Sequence, residues 1–192
     1  VARNTAGEVA CYPVVETTHQ NNICHTVVAP APIDDETARH AKQFAIQVAE
    51  YLEGAGVFGI ELFLTENVGA YCHTPLLVNE IAPRVHNSGH YTIEACKTSQ
   101  FEQHIRAITG MPLGSTEMIV PAAAMVNILG KRSGKAKPTG KTKAKEIAGV
   151  EIHLYGKMET RHERKMGHIT AVGKNVTEAL KKAELAEKYI RI

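Results

Sequence analysis

The sequence predicts an α+β protein of mainly antiparallel sheet with flanking helices, followed by a small β-rich domain. Short strand runs return on one another across turns. Helical stretches with clear start and stop signals lie between them, and strand runs dominate the tail. The 192 residues are 44% hydrophobic and 22% charged, a globular balance with room for one sizeable domain or two small ones.

Residues 1–12 read as a hairpin with Gly7 in its turn. The chain opens on Val1 and partway along a strand, so material is expected on its N-terminal side. Asp34 or Asp35 caps a helix carrying Ala38, Ala41, Ala45, Val48 and Leu52 at helical spacing, and Gly54 stops it. The near-continuous apolar run 57–64 has the pattern of a buried strand. Residues 66–69 are turn material, and 76–81 read as the returning strand, ended by Pro83. A helical stretch at 91–96 precedes the capping box Ser99-Gln100-Phe101-Glu102, whose helix carries Phe101, Ile105 and Ile108 on one face and ends before Gly110. Residues 111–114 break the pattern, which divides the chain into 1–114 and 115–192. Beyond the break, strands are expected at 122–129, 150–155 and 168–172. Asn175 and Glu178 open a last helix with Leu180, Ala183 and Ala186 inward.

A formal charge of +2 is too mild for nucleic-acid or membrane binding to be the main task. Residues 131–145 hold seven basic side chains and no acid, and read as a flexible basic loop. Their lack of aromatics argues against a stacking platform for single strands. The four cysteines form no C-x-x-C pair and read as reduced thiols of a cytoplasmic protein. No apolar run approaches the ~18 residues a membrane span needs, and no signal peptide is seen.

The chemistry concentrates in two strand carboxylates, Glu61 and Glu80. Side by side they would repel, and a divalent cation between them is the simplest remedy; Mg²⁺ takes carboxylate oxygens together with nucleotide phosphates. Salt bridges to Arg or Lys are the alternative, and spacing does not separate the two. Arg84, His86 and Asn87 follow within a few residues. Strand period two puts Arg84 on the Glu80 side if the strand runs that far. A guanidinium suits an oxyanion, an imidazole carries protons, and an amide supplies neutral hydrogen bonds.

Gly59-Ile60-Glu61-Leu62-Phe63, the run from Asn79 to His90 (N-E-I-A-P-R-V-H-N-S-G-H), Ser99 to Ile108, and Arg164-Lys165-Met166-Gly167-His168-Ile169 together resemble the N5-carboxyaminoimidazole ribonucleotide synthetase (PurK) family. The resemblance implies an ATP-grasp fold, represented by its C-terminal lobe, and then the family's small C-terminal domain. It implies an ATP- and Mg²⁺-dependent ligase, with Mn²⁺ an acceptable substitute and no biotin. Its substrates would be ATP, bicarbonate and aminoimidazole ribonucleotide, joined through carboxyphosphate. Carried over by position, Glu61 and Glu80 resemble the metal ligands. Asn79, Glu80 and His19 resemble ATP-site residues. Arg84 and His86 resemble the catalytic pair, and Asn87, Lys157 and Arg164 the ribonucleotide contacts. A homodimer is expected, in the cytoplasm or, for a plant-like source, the plastid.

Residues 65–78 are longer than the family's hairpin, with 70–75 looking inserted, and 131–145 do not match the family. The glycine-rich phosphate loop and adenine-side lysines of the family are not found here, so the chain alone is expected to be inactive. Two rivals remain: a biotin-carboxylase-like bicarbonate activator, which needs neither the H-N-S-G-H run nor the Arg164–His168 motif, and a non-catalytic basic phosphate-binding module working through 131–145.

Overall fold

A computed structural model of the chain describes residues 1–65 and 76–192. The turn expected at 66–69 and the insertion at 70–75 lie outside the described residues. The chain forms two compact units. The first comprises 1–14, 32–93 and 97–117, and the second 15–31, 94–96 and 118–192.

In the first unit, β1 (Ala2–Arg3) pairs antiparallel with β2 (Val9–Ala10), and Gly7 adopts φ +87° in the turn between them. α1 (Asp35–Leu52) begins where the Asp34 carboxylate accepts the Thr37 N–H at 2.8 Å. It buries Ala41, Ala45 and Ala49, and ends at Glu53 in the left-handed region. β5 (Gly56–Val57) joins the far side of β1. The apolar run read as one strand is broken at Phe58, and β6 is Gly59–Leu64. β7 (Leu76–Ala82) returns beside β6 as a two-stranded antiparallel ribbon. This ribbon is not the buried strand that the apolar pattern implies: Phe63 is 57% and Leu64 53% exposed. With one neighbouring strand each among the described residues, β6 and β7 gain little cover from the sheet.

A 3₁₀ turn (Asn87–Gly89) and the short α2 (Thr92–Ala95) lead to α3 (Gln100–Ile108), where Ser99 Oγ accepts the Glu102 N–H. The inward face of α3 differs from the expected apolar stripe. Phe101, Ile105 and Ile108 are exposed, while Gln100, Gln103 and Ala107 are buried. The glutamines tolerate burial because their amides are satisfied. Gln103 Nε2 donates to the Gly114 carbonyl and its Oε1 accepts the Gly114 N–H, both at 2.8 Å.

The second unit is built on a five-stranded antiparallel sheet. β3 (Glu16–Gln20) and β4 (Ile23–Ala29) form a hairpin through Asn21 and Asn22, both at positive φ as a tight two-residue turn requires. β8 (Ala122–Leu129) lies beside β4. β9 (Gly134–Lys135) and α4 (Lys141–Lys145) follow, then β10 (Val150–Leu154), β11 (Glu159–Thr160), β12 (Lys165–Gly173) and α5 (Val176–Glu187). The sheet order is β10-β12-β8-β4-β3, and β9 pairs separately with β11. The core joins Val126, Ile128, Ile152 and Ile169 to Ala179, Ala183 and Ala186 of α5, with Leu180 partly buried beside it.

The basic segment is thus not a free loop. Lys143 lies 4.6 Å over the Tyr189 ring, Lys131 pairs with Glu187 at 3.2 Å, and Lys145 with Glu151 at 2.9 Å. Among the described residues no helix is long and apolar enough to cross a membrane.

Candidate active site

Ladder register brings the two carboxylates together. Glu61 on β6 stands directly opposite Glu80 on β7, and opposed residues of an antiparallel pair project their side chains to one face, Cβ atoms roughly 4.5–5.5 Å apart. The register then slips. Leu62 pairs with Val78, so Asn79 is the extra residue of a β-bulge. The bulge turns Asn79 toward the carboxylates, and its Nδ2 donates to Glu61 Oε2 at 3.2 Å. Glu80 is exposed, not buried in an apolar strand as expected, while the Glu61 side chain is only 13% exposed. Like charges placed opposite each other destabilise a ladder. Among the described residues neither glutamate pairs with an Arg or Lys.

His86 approaches from the other side. Its Nε2 lies 3.8 Å from Glu61 Oε1, and its ring is 11% exposed. Nδ1 faces Ser88: the Ser88 N–H points to it at 3.4 Å and Ser88 Oγ lies at 2.8 Å. A nitrogen that accepts the Ser88 N–H leaves the ring proton on Nε2, facing Glu61. The close fit needs a glycine on β6, because a Cβ on Gly59 would lie 2.5 Å from His86 Cβ.

Gln100 holds the loop from beneath. Its Oε1 accepts the His86 N–H at 2.9 Å. Its Nε2 donates to the His86 carbonyl at 2.7 Å and meets His90 Nδ1 at 2.8 Å. Sequence reasoning gave Gln100 no role beyond its place in the capping box; its reach across 14 residues left no local signal. β7 ends at Ala82, so Arg84 lies beyond the strand and its side is not set by strand period. It is exposed, with Nη1 donating to the Val85 carbonyl at 3.1 Å. Asn87 opens the 3₁₀ turn just after His86.

The remaining expected residues are in the second unit. His19 is exposed on the edge strand β3, at a bulge where it pairs with Cys24. Lys157 and Arg164 lie in the segment between β10 and β12. Lys157 Nζ donates to the Lys165 carbonyl at 2.5 Å, and Arg164 Nη1 to the Glu159 carbonyl at 2.7 Å. Among the described residues no carboxylate pairs with either. Burial, and then the charges of Arg164, Lys165 and Arg161, push the Lys157 ammonium below the usual lysine range.

The chain has counterparts among known proteins. Residues 1–101 match the ATP-grasp domain, and residues 123–182 the phosphoribosylaminoimidazole carboxylase C-terminal domain. The chain belongs to the ATP-grasp family. Within it, the kinship is with the N5-carboxyaminoimidazole ribonucleotide synthases. The phosphoribosylaminoimidazole carboxylase of Candida albicans is 48% identical over 99% of this chain and 32% of its own length. The N5-carboxyaminoimidazole ribonucleotide synthase of Mycobacterium tuberculosis is 42% identical over 99% of this chain and 44% of its own. Among solved structures, the N5-carboxyaminoimidazole ribonucleotide synthetase of Thermotoga maritima superposes with a TM-score of 0.86 at 53% identity, covering 99% of this chain and 50% of that one. The Aspergillus clavatus synthase, solved with ADP and 5-aminoimidazole ribonucleotide, superposes with a TM-score of 0.83 at 36% identity over 97% of this chain and 49% of that one. The chain thus spans a third to half the length of these relatives.

Proposed function

We propose that this chain carries the metal, bicarbonate and ribonucleotide contacts of a ligase that uses ATP to carboxylate 5-aminoimidazole ribonucleotide. The products are the N5-carboxylated nucleotide, ADP and phosphate. The observation that carries the reading is the cross-strand pair Glu61–Glu80, opposed in register with no Arg or Lys partner among the described residues. Two carboxylates and an adjacent amide oxygen are hard donors. Such donors suit Mg²⁺, which takes one or two carboxylates and leaves phosphates and water to complete its shell. Glu61 and Glu80 would hold Mg²⁺, or Mn²⁺ in its place. When bound, the ion supplies neutralising charge for phosphoryl transfer.

The chain's own residues do the rest. Arg84, exposed and with no carboxylate partner among the described residues, grips bicarbonate and then carboxyphosphate bidentately. His86 presents an Nε2 proton beside Glu61 and is assigned to move a proton at the amine or carboxyphosphate step, donating it to the phosphate that leaves as the amine bonds to the carboxyl carbon. Asn87 contacts the aminoimidazole, Asn79 and Glu80 border the nucleotide, and His19 is assigned to the ATP side. Lys157 and Arg164 bind the ribonucleotide phosphate. Support comes from the Aspergillus relative, solved with ADP and aminoimidazole ribonucleotide. We read the active form as a cytoplasmic homodimer needing no biotin. A plastid setting is open, as one plant relative is chloroplastic. We keep 1–114 and 115–192 as the two sequence segments, between the family matches that end at 101 and begin at 123; the β3–β4 hairpin of the earlier segment joins the later one's sheet.

The test is ADP release by the full-length protein containing this chain. Release should require bicarbonate and aminoimidazole ribonucleotide together, and Arg84→Ala should lower it by about 100-fold, the scale of losing one charge-stabilising donor. Release driven by bicarbonate without the ribonucleotide would overturn the reading in favour of a biotin-carboxylase-like activator. Carboxylation unchanged in His86→Ala would remove His86 from its role.

A further inference from the structure

Outside the carboxylate site, the second unit contains a polar cluster that the proposed chemistry does not use. Glu94 Oε1 meets His153 Nε2 at 2.6 Å. The His153 ring stacks on His168, with centroids 4.6 Å apart. His168 Nδ1 meets the Tyr155 hydroxyl at 2.9 Å. The Tyr155 ring in turn lies 5.5 Å from Lys157 Nζ, within the ~6 Å over which an aromatic face attracts a cation. His153 and His168 are direct cross-strand partners on β10 and β12, so the ladder itself fixes their stacking.

We propose that Glu94, His153, His168 and Tyr155 form a positioning chain that holds the Lys157 ammonium ready for a phosphate monoester. The inference rests on the assignment of Lys157 and Arg164 to the ribonucleotide phosphate.

Each link has a physical reason. A lysine side chain on an exposed loop is flexible and must be ordered before it binds. Here two contacts fix the ammonium: the Lys165 carbonyl and the Tyr155 ring. The carbonyl takes one N–H, and the ring attracts charge without consuming a donor, leaving the others for phosphate oxygens. The ring's own orientation depends on its hydroxyl. Burial pushes the Tyr155 phenol up to about 12, so it stays protonated, and with the His168 proton on Nε2 it donates to His168 Nδ1. His168, 2% exposed, is held between Tyr155 and His153. Glu94 fixes His153, and its second oxygen is buried without a hydrogen-bond partner among the described residues. Burial of that oxygen leaves the bond to His153 as the contact that offsets the cost of the carboxylate's desolvation.

The test uses the full-length protein and separates KM for the ribonucleotide from kcat and from KM for ATP. Tyr155→Phe keeps the ring and removes the bond to His168. It should raise the ribonucleotide KM about three- to tenfold, the loss expected when a cation–π contact is disordered, with kcat and the ATP KM unchanged. His168→Leu should do the same. His168→Gln, which restores an acceptor for the phenol, should bring KM back toward wild type. If Lys157→Ala raises the ribonucleotide KM while Tyr155→Phe leaves it unchanged, the cluster is structural only and the inference is overturned. If Lys157→Ala itself leaves KM unchanged, the phosphate assignment falls, and the inference with it. Should His168→Leu fail to fold, Tyr155→Phe decides alone.

Discussion

The β6–β7 ribbon and the five-stranded sheet hold their candidate site side chains in different ways. On the ribbon, Phe63, Leu64, Leu77 and Val78 are exposed. Register and a bulge do the placing, with Gln100 and Gly59 fixing His86 against Glu61. In the sheet, β8 is buried from Ala122 to Ile128, and Lys157 and Arg164 lie on a loop that this core anchors at both ends. Backbone pairing alone can thus juxtapose two charges, whereas a loop cation needs a packed base and bracing side chains.

The core is the first place to test that contrast. Ile169→Ala, at a fully buried position in β12, should cost about 2–5 kcal/mol in denaturant unfolding. Phe63→Ala on the ribbon should cost no more than about 0.5 kcal/mol. Equal costs would break the comparison. Next in size is Gly59→Ala. A methyl group 2.5 Å from His86 Cβ forces the loop outward, at a cost of about 1–3 kcal/mol for overpacking. Histidine NMR should show His86 losing its single tautomer along with the Glu61 contact; an unchanged spectrum would show that the ribbon is softer than described.

The pH dependence of ribonucleotide binding sharpens the other side. Lys157 sits below the ordinary lysine value of 10.5 in the free site, and a bound phosphate favours its charged form. Affinity should therefore be full below the free-site pKa and fall as pH rises through it, before the ordinary lysine range. Lys157→Arg should move that fall to higher pH in a calorimetric titration. The smallest effect is Asn175→Ala, which removes the side-chain cap on the Glu178 N–H at 2.9 Å and should cost about 1 kcal/mol in unfolding.

Local chemistry was the legible part of the fold. Asp34, Ser99 and Asn175 each cap the helix their side chains promise, because capping is decided within four residues. Glu61 and Glu80 stood out as acids in apolar runs, and the ribbon sets them opposite each other. What failed to show was long-range. The bulge at Asn79 depends on how two strands meet, not on either strand's pattern. The apolar stripe on α3 pointed the wrong way because paired amides on Gln100 and Gln103 made a polar face the buried one. The Glu94–His153 contact spans 59 residues and leaves no periodic trace.

One measurement bears most directly on the carboxylate pair: Mn²⁺ titration, followed by electron paramagnetic resonance, of the full-length protein with ATP present. Wild type should bind the ion tightly, and Glu61→Gln and Glu80→Gln should each lose most of that affinity while keeping the wild-type fold by circular dichroism. Wild-type affinity in both variants would contradict a cation shared between β6 and β7.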